Sequence, residues 1–435
     1  MMLKIPFAAL GLMAAGPVFA QDAAPIMDKG DVSFMMIATV LVLFMTLPGL
    51  ALFYGGLVRT KNMLSILMQT TLITCLVMVI WVVYGYSVTF GGGTGAFWGG
   101  LGKLFLKGVT PDSMSATFSA GFVIPEYLFI AFQMTFAAIT PALIIGAFAE
   151  RIKFGAVLLF SALWVTLVYF PVAHMVWDVS GLIFKMGAID FAGGTVVHIN
   201  AGIAALIGCL VIGPRVGFGR ENMAPHSMVM TMIGASMLWV GWFGFNVGSN
   251  LEANGGATLA MINTFVATAA ATLAWSLIEA AERGKASMLG AASGMVAGLV
   301  AVTPACGTVG PVGAMVLAMI AASVCYVFVT RVKNIFRYDD SLDVFGIHGV
   351  GGIVGALLTG VFSAASLGGV KGEGYAIGAQ VWVQFQAVAI TAIWTGVVSF
   401  ALFKLIDMTI GLRVDADSER QGLDQTAHGE SAYHG

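Results

Sequence analysis

Eleven apolar runs decide what this chain can fold into. They cover residues 33–58, 63–90, 125–149, 155–176, 194–213, 226–249, 258–281, 287–304, 312–332, 343–365 and 377–410. A helix rises about 1.5 Å per residue, so runs of about 20 residues cross a hydrocarbon layer of about 30 Å. Inside lipid every backbone N–H and C=O must find its partner within the protein, and a helix achieves this segment by segment. The expectation is an all-α membrane protein of about eleven transmembrane helices. Composition agrees: hydrophobic residues make up 59% of the chain and charged residues 10%, where a soluble domain carries about a quarter charged. A net charge of −2 offers no basic surface for a nucleic-acid partner. Cys75, Cys209, Cys306 and Cys325 form no C-x-x-C pair, so neither a zinc site nor a disulfide framework is expected, and no metal or cofactor is called for.

Basic residues set the orientation. Alternate loops carry Arg59 and Lys61, Arg151 and Lys153, Arg215 and Arg220, Arg283 and Lys285, then Arg331, Lys333 and Arg337. Opposite loops hold only scattered lysines. The positive-inside rule places the N-terminus outside and the C-terminus in the cytoplasm, as in a multi-pass protein of the cell (inner) membrane. Lys4, the apolar stretch from Ile5 to Ala15, and Val18-Phe19-Ala20 read as a secretory signal peptide over residues 1–20. Residues 21–410 then form the transmembrane domain, and 411–435 a polar cytoplasmic tail.

Two histidines stand inside this apolar background. His198 opens the fifth run in Asp190-Phe-Ala-Gly-Gly-Thr-Val-Val-His198, and His348 opens the tenth in Asp343-Val-Phe-Gly-Ile-His348. Both continue as His-x3-Gly-Ile. An imidazole at membrane depth is costly and usually faces a bundle interior or a water path. An odd separation of five spans inverts the second copy. Spans 1–5 and 6–10 therefore read as an inverted repeat with its site between the halves, plus an eleventh helix outside it. Asp190 and Asp343, each ahead of a histidine, are candidate structural or electrostatic partners of the helix starts.

Ala149-Glu150-Arg151, Asp190 to Asn200, Gly241-Trp-Phe-Gly-Phe-Asn246, Thr303-Pro-Ala-Cys-Gly307, Asp343 to Gly349 and Gly411-Leu-Arg-Val414 occur in order along the chain. Together they closely resemble the ammonium transporter family (Amt/Mep/Rh), in particular its bacterial Amt branch. The resemblance implies a homotrimer whose protomers each carry a narrow pore. It implies an outer substrate site at Phe132, Trp177 and Ser249, a gate of two stacked rings at Phe136 and Phe245, and a pore and proton relay at His198 and His348. It also implies a PII-type regulatory protein as a possible partner at the tail.

The chemistry of ammonium explains these residue types. Ammonium is a small cation with four N–H donors; aromatic faces attract it and an oxygen acceptor orients it. It can leave a proton behind, which potassium cannot, and neutral imidazoles can hold ammonia or pass a proton. The expected function is an ammonium transporter or channel and not an enzyme. Two other readings compete with it. One is an ammonium sensor acting through a partner at the tail. The other is a membrane redox enzyme with His198 and His348 as haem or metal ligands, which a colourless, metal-free preparation would exclude.

Overall fold

A computed structural model describes residues 25–433. The expected signal peptide lies outside these residues. Among the described residues ten helices are long and apolar enough to cross a membrane: α1 (Lys29–Leu57), α2 (Thr60–Phe90), α3 (Glu126–Phe148), α4 (Phe154–Lys185), α5 (Gly194–Ile212), α6 (Met228–Gly248), α7 (Gly255–Arg283), α9 (Pro311–Phe336), α10 (Phe345–Phe362) and α11 (Ile377–Thr409). The eighth apolar run forms the shorter helix α8 (Met288–Val302). Its 15 residues span only about 22 Å at the standard rise. Nearly all of α8 is buried, so its ends find partners within the protein and need not reach the membrane surface.

The packing follows the expected repeat. Counterparts α1 and α6 lie against each other, and α5 lies against the start of α10. That is what a two-fold axis between the halves requires. The longest helix, α11, packs along α5 and α10 and braces the pair from outside. Small residues make the closest crossing possible. A Cβ on Gly202 of α5 would sit 2.2 Å from the Gly349 backbone at the start of α10, so only glycine lets these two helices meet. The histidines stand beside that crossing.

Two features depart from an all-helical reading. A small sheet, in the order β1-β3-β2, joins β1 (Ile26–Met27), β2 (Met114–Ala116) and β3 (Phe122–Pro125) ahead of α3. The tail is also ordered, although its composition is that of a solvated segment. It forms α12 (Ala416–Gln421) and α13 (Leu423–His428) and docks on its own chain. Leu423 N–H donates to Asn62 Oδ1 at 2.9 Å, and Ser65 N–H donates to Asp424 Oδ1 at 2.8 Å. The Asn62 amide thus satisfies a backbone group of the tail, and the tail's Asp424 carboxylate one near the start of α2.

At the same end of the bundle, charges join four loops. Arg215 grips Asp339 with two hydrogen bonds of 2.9 and 2.8 Å and reaches Glu150 at 3.3 Å. Glu150 also accepts from the Arg59 backbone and guanidinium at 2.6 and 2.7 Å. Arg151 is fully buried and donates to Ala147, Asp339 and Gly213 carbonyls and to Ser341 Oγ. Burial alone would raise Asp339; Arg215 and Arg151 hold it below the usual carboxylate range.

Candidate functional site

A file of aromatic rings crosses the bundle. Phe132 and Phe136 lie one turn apart on α3 with ring centroids 5.0 Å apart. Phe136 stacks on Phe245 of α6 at 4.1 Å and 23°. Phe245 touches His198 at 5.8 Å, and His198 stacks on His348 at 5.3 Å and 26°. Trp177, at the end of α4's long helical stretch, meets Phe136 edge-on at 5.8 Å and 83°. Edge-to-face and offset stacks are the favoured aromatic geometries.

At the Trp177 end, the three expected substrate-site residues gather round the same rings. Phe132 is fully buried, Ser249 is buried, and Trp177 stays partly exposed. The Phe132 ring lies against Gly248, where a Cβ would come within 2.8 Å of it; the glycine lets the ring approach the turn carrying Ser249. Ser249 Oγ donates to the Phe245 carbonyl at 2.8 Å. The indole N–H of Trp177 donates to the Asp190 carbonyl at 3.0 Å, which ties this aromatic to the start of α5.

The two histidines face each other. His198 Nδ1 and His348 Nδ1 lie 3.2 Å apart, so one donates and the other accepts. Both sit in a wide i→i+5 turn at the head of their helix, over Gly194–Ile199 and Phe345–Gly349; such turns recur at functional sites. His198 Nε2 has no partner in the protein. The pair borders a narrow cavity of about 10 Å³, otherwise walled by Met45, Leu50, Phe53, Ile139, Leu143, Val197, Leu238, Trp242, Phe245 and Val296. That is the space one water-sized molecule occupies. Among the described residues no group of three or more His, Cys, Asp or Glu side chains is placed to hold a metal ion.

Asp190 caps the start of α5. Its carboxylate accepts from Gly193, Thr195 and Val196 N–H groups at 3.0, 2.9 and 3.0 Å. Burial outweighs these bonds and pushes Asp190 up to about 6. Asp343 does not repeat this arrangement: it pairs with Lys333, and its backbone adopts a left-handed φ of 58°. The inverted counterpart is Asp340, which accepts from Val344, Phe345 and Gly346 N–H groups at 3.0, 2.8 and 3.4 Å. Burial, then the neighbouring Asp343, pushes Asp340 up to about 6. The signal was present in the spacing. Asp190 precedes His198 by eight residues, and Asp340 precedes His348 by the same eight.

Trp242 is the other site residue that sequence reading passed over. It stacks on His198 at 5.3 Å and 23° and packs against Phe245 at 5.6 Å. It appeared within Gly241-Trp-Phe-Gly-Phe-Asn246, but nothing local distinguishes it from the other tryptophans.

An enclosed, apolar, histidine-lined path through an inverted helical repeat defines a membrane transporter or channel for a very small solute. The model of the Ammonium Transporter Family matches residues 33–433, and this chain belongs to that family. An ammonium transporter of Bacillus subtilis is 45% identical over 411 residues, covering 94% of this chain and 99% of its own. One of Aquifex aeolicus is 45% identical, covering 95% and 96%. Among solved structures, Saccharomyces cerevisiae Mep2 matches with a TM-score of 0.80 at 33% identity over 90% of this chain and 88% of its own. A "Sensor Amt Protein" matches at 0.84 and 26% identity over 92% and 98%. These relatives point to a transporter and not an enzyme.

Proposed function

We propose that this chain takes up ammonium at the Trp177 end, strips it of a proton and conducts ammonia through the pore. The observation that supports this most is the file of rings from Phe132 to His348, leading into a cavity large enough for one water-sized molecule. Phe132 and Trp177 supply π faces for the cation and Ser249 an oxygen. A bare cation goes no further than the histidines, because an ion without partners in a dry cavity costs far more than its attraction to the rings returns. The stacked Phe136 and Phe245 rings act as a hydrophobic gate that opens transiently and excludes hydrated ions.

The histidines handle the proton. His198 accepts it from ammonium at the free Nε2, and the Nδ1 proton passes to His348 Nδ1 across the 3.2 Å contact. Charging both rings would set two N–H groups head to head, so the pair carries one extra proton at a time. Ammonia crosses as a neutral molecule and regains a proton at the far end. The protein works as a homotrimer in the inner membrane, N-terminus outside and tail in the cytoplasm, where a PII-type protein is the candidate regulator. Asp190 and Asp340 hold the two helix starts, and Asp343 is a structural neighbour of that second start.

The test replaces His198 or His348 with Asp and measures ammonium- and potassium-driven currents in the same liposomes, with trimer integrity checked. A fixed carboxylate favours an intact cation, so the variants should gain potassium current. Stable variants that still exclude potassium at the original ammonium rate would sink the relay. Water permeability measured alongside separates a selectivity change from a merely wetter pore.

A further inference from the structure

Thr303 follows α8, in a segment whose role the pore chemistry leaves unassigned. Its side chain is fully buried. Thr303 Oγ1 accepts the indole N–H of Trp242 at 2.9 Å, and its own proton goes to the Leu299 carbonyl at 2.8 Å, with Asn246 Oδ1 at 3.2 Å. The same segment clamps the start of α5: Phe191 N–H donates to the Pro304 carbonyl at 3.2 Å, and the Pro304 ring lies where a Cβ on Gly194 would be. One short turn therefore touches both the His198 helix and the indole stacked on His198.

The direction of the Trp242 N–H matters because of what else could take it. A buried indole N–H must donate somewhere or forfeit the energy of a hydrogen bond. Trp242 walls the cavity, and among the described residues that line it only the two imidazoles carry a side-chain nitrogen or oxygen acceptor. His198 Nε2 is unpartnered. An indole released from Thr303 could turn its N–H towards that nitrogen and occupy the lone pair that the transport mechanism uses.

We propose that Thr303 is a positioning residue for conduction: its hydroxyl holds the Trp242 N–H out of the pore and keeps His198 Nε2 free for the substrate's proton. This rests on the relay mechanism proposed above. It assigns no contact with substrate to Thr303, which acts through the indole.

The experiment is a double-mutant cycle on the full chain in liposomes, scored by ammonium flux per trimer. Thr303→Val removes the hydroxyl at nearly constant volume and should slow flux about tenfold, the effect of one mispaired buried donor. Thr303→Ser, which keeps the hydroxyl, should stay within about twofold of wild type. In a Trp242→Phe background there is no N–H to misdirect, so adding Thr303→Val should change flux by less than about twofold. If Thr303→Val does not assemble, Thr303→Cys, with its weak sulfur acceptor, takes its place in the cycle. A tenfold loss that persists in the Trp242→Phe background overturns the proposal, because packing alone would then explain it. So does wild-type flux in Thr303→Val. A wild-type chain that moves no ammonium would instead sink the transport mechanism itself.

Discussion

The two helix starts that carry the histidines are built alike and surrounded differently. At each, a buried aspartate eight residues ahead of the histidine collects three backbone N–H groups, and a wide turn presents the ring. Around Asp190 the neighbours are aromatic: Trp177 donates to its carbonyl, and no salt bridge reaches its carboxylate among the described residues. Around Asp340 the neighbours are ionic, with Lys333 and Asp343 on one side and the Asp339–Arg215 pair beside it in sequence. The repeat has kept the parts that aim an imidazole and let the flanks diverge. One end can then offer π faces to a cation, while the other ties together loops and tail.

The largest expected effect lies on the ionic side. Asp339→Ala leaves Arg215 and Arg151 buried without their carboxylate and should cost about 3–5 kcal/mol of stability, read as a lowered unfolding midpoint in detergent. The aromatic side has no such pair to lose, so an equal loss from Trp177→Leu would break the contrast. Next come the shared parts. Asp190→Ala and Asp340→Ala each strand three backbone donors, and each should cost about 2–3 kcal/mol. A tolerated Asp340→Ala beside a damaging Asp190→Ala would mean that the two caps are not equivalent.

A smaller effect is a slope with pH. Both aspartates are pushed up to about 6 from an ordinary 3.8. The folded chain therefore holds protons that the unfolded chain releases between pH of about 4 and 6. Stability is greatest below that window and falls as pH rises through it, by about 3 kcal/mol for Asp190, with Asp340 adding to the slope in the same direction. Asp190→Asn and Asp340→Asn should each flatten the slope in unfolding scans at matched ionic strength. Asp343→Asn removes a neighbour that raises Asp340 and should shift only the Asp340 part. The smallest effect is that of Asp343→Asn on stability near neutral pH. The Lys333–Asp343 pair is partly exposed, at 19% and 26%, and its loss should cost no more than about 1 kcal/mol.

The helices were legible because lipid enforces a simple rule: apolar runs end where charge resumes. The fifth run, expected at 194–213, is Gly194–Ile212, and the eleventh, expected at 377–410, is Ile377–Thr409. The eighth was harder, since a helix buried in protein may be as apolar as one in lipid and yet be short. Transport itself was legible through the ordered set of motifs from Ala149-Glu150-Arg151 to Gly411-Leu-Arg-Val414, since the histidine echo alone also suited a haem or metal site. Asp340 was readable from its spacing, but the nearer Asp343 drew attention first. The wide turns, Trp242 and Thr303 were not readable, because each depends on partners far along the chain. The tail misled on composition alone, since two of its carboxylates, Asp424 and Glu419, are buried and accept from the Ser65 and Val216 backbone N–H groups.

The meeting of Gly202 with Gly349 has a consequence for how such a pore can change over generations. Neither glycine carries chemistry, yet a single methyl on Gly202 would wedge the two helices apart and part the rings beside them, and one on Gly349 would strike the Phe345 ring at 2.7 Å. Inheritance of the imidazole pair is therefore policed at positions that bear no functional group. Drift at the histidines themselves could still trade one titratable ring for another polar side chain. Drift at the glycines has no such middle ground, so the most permissive residue in the alphabet occupies the least forgiving place in the molecule.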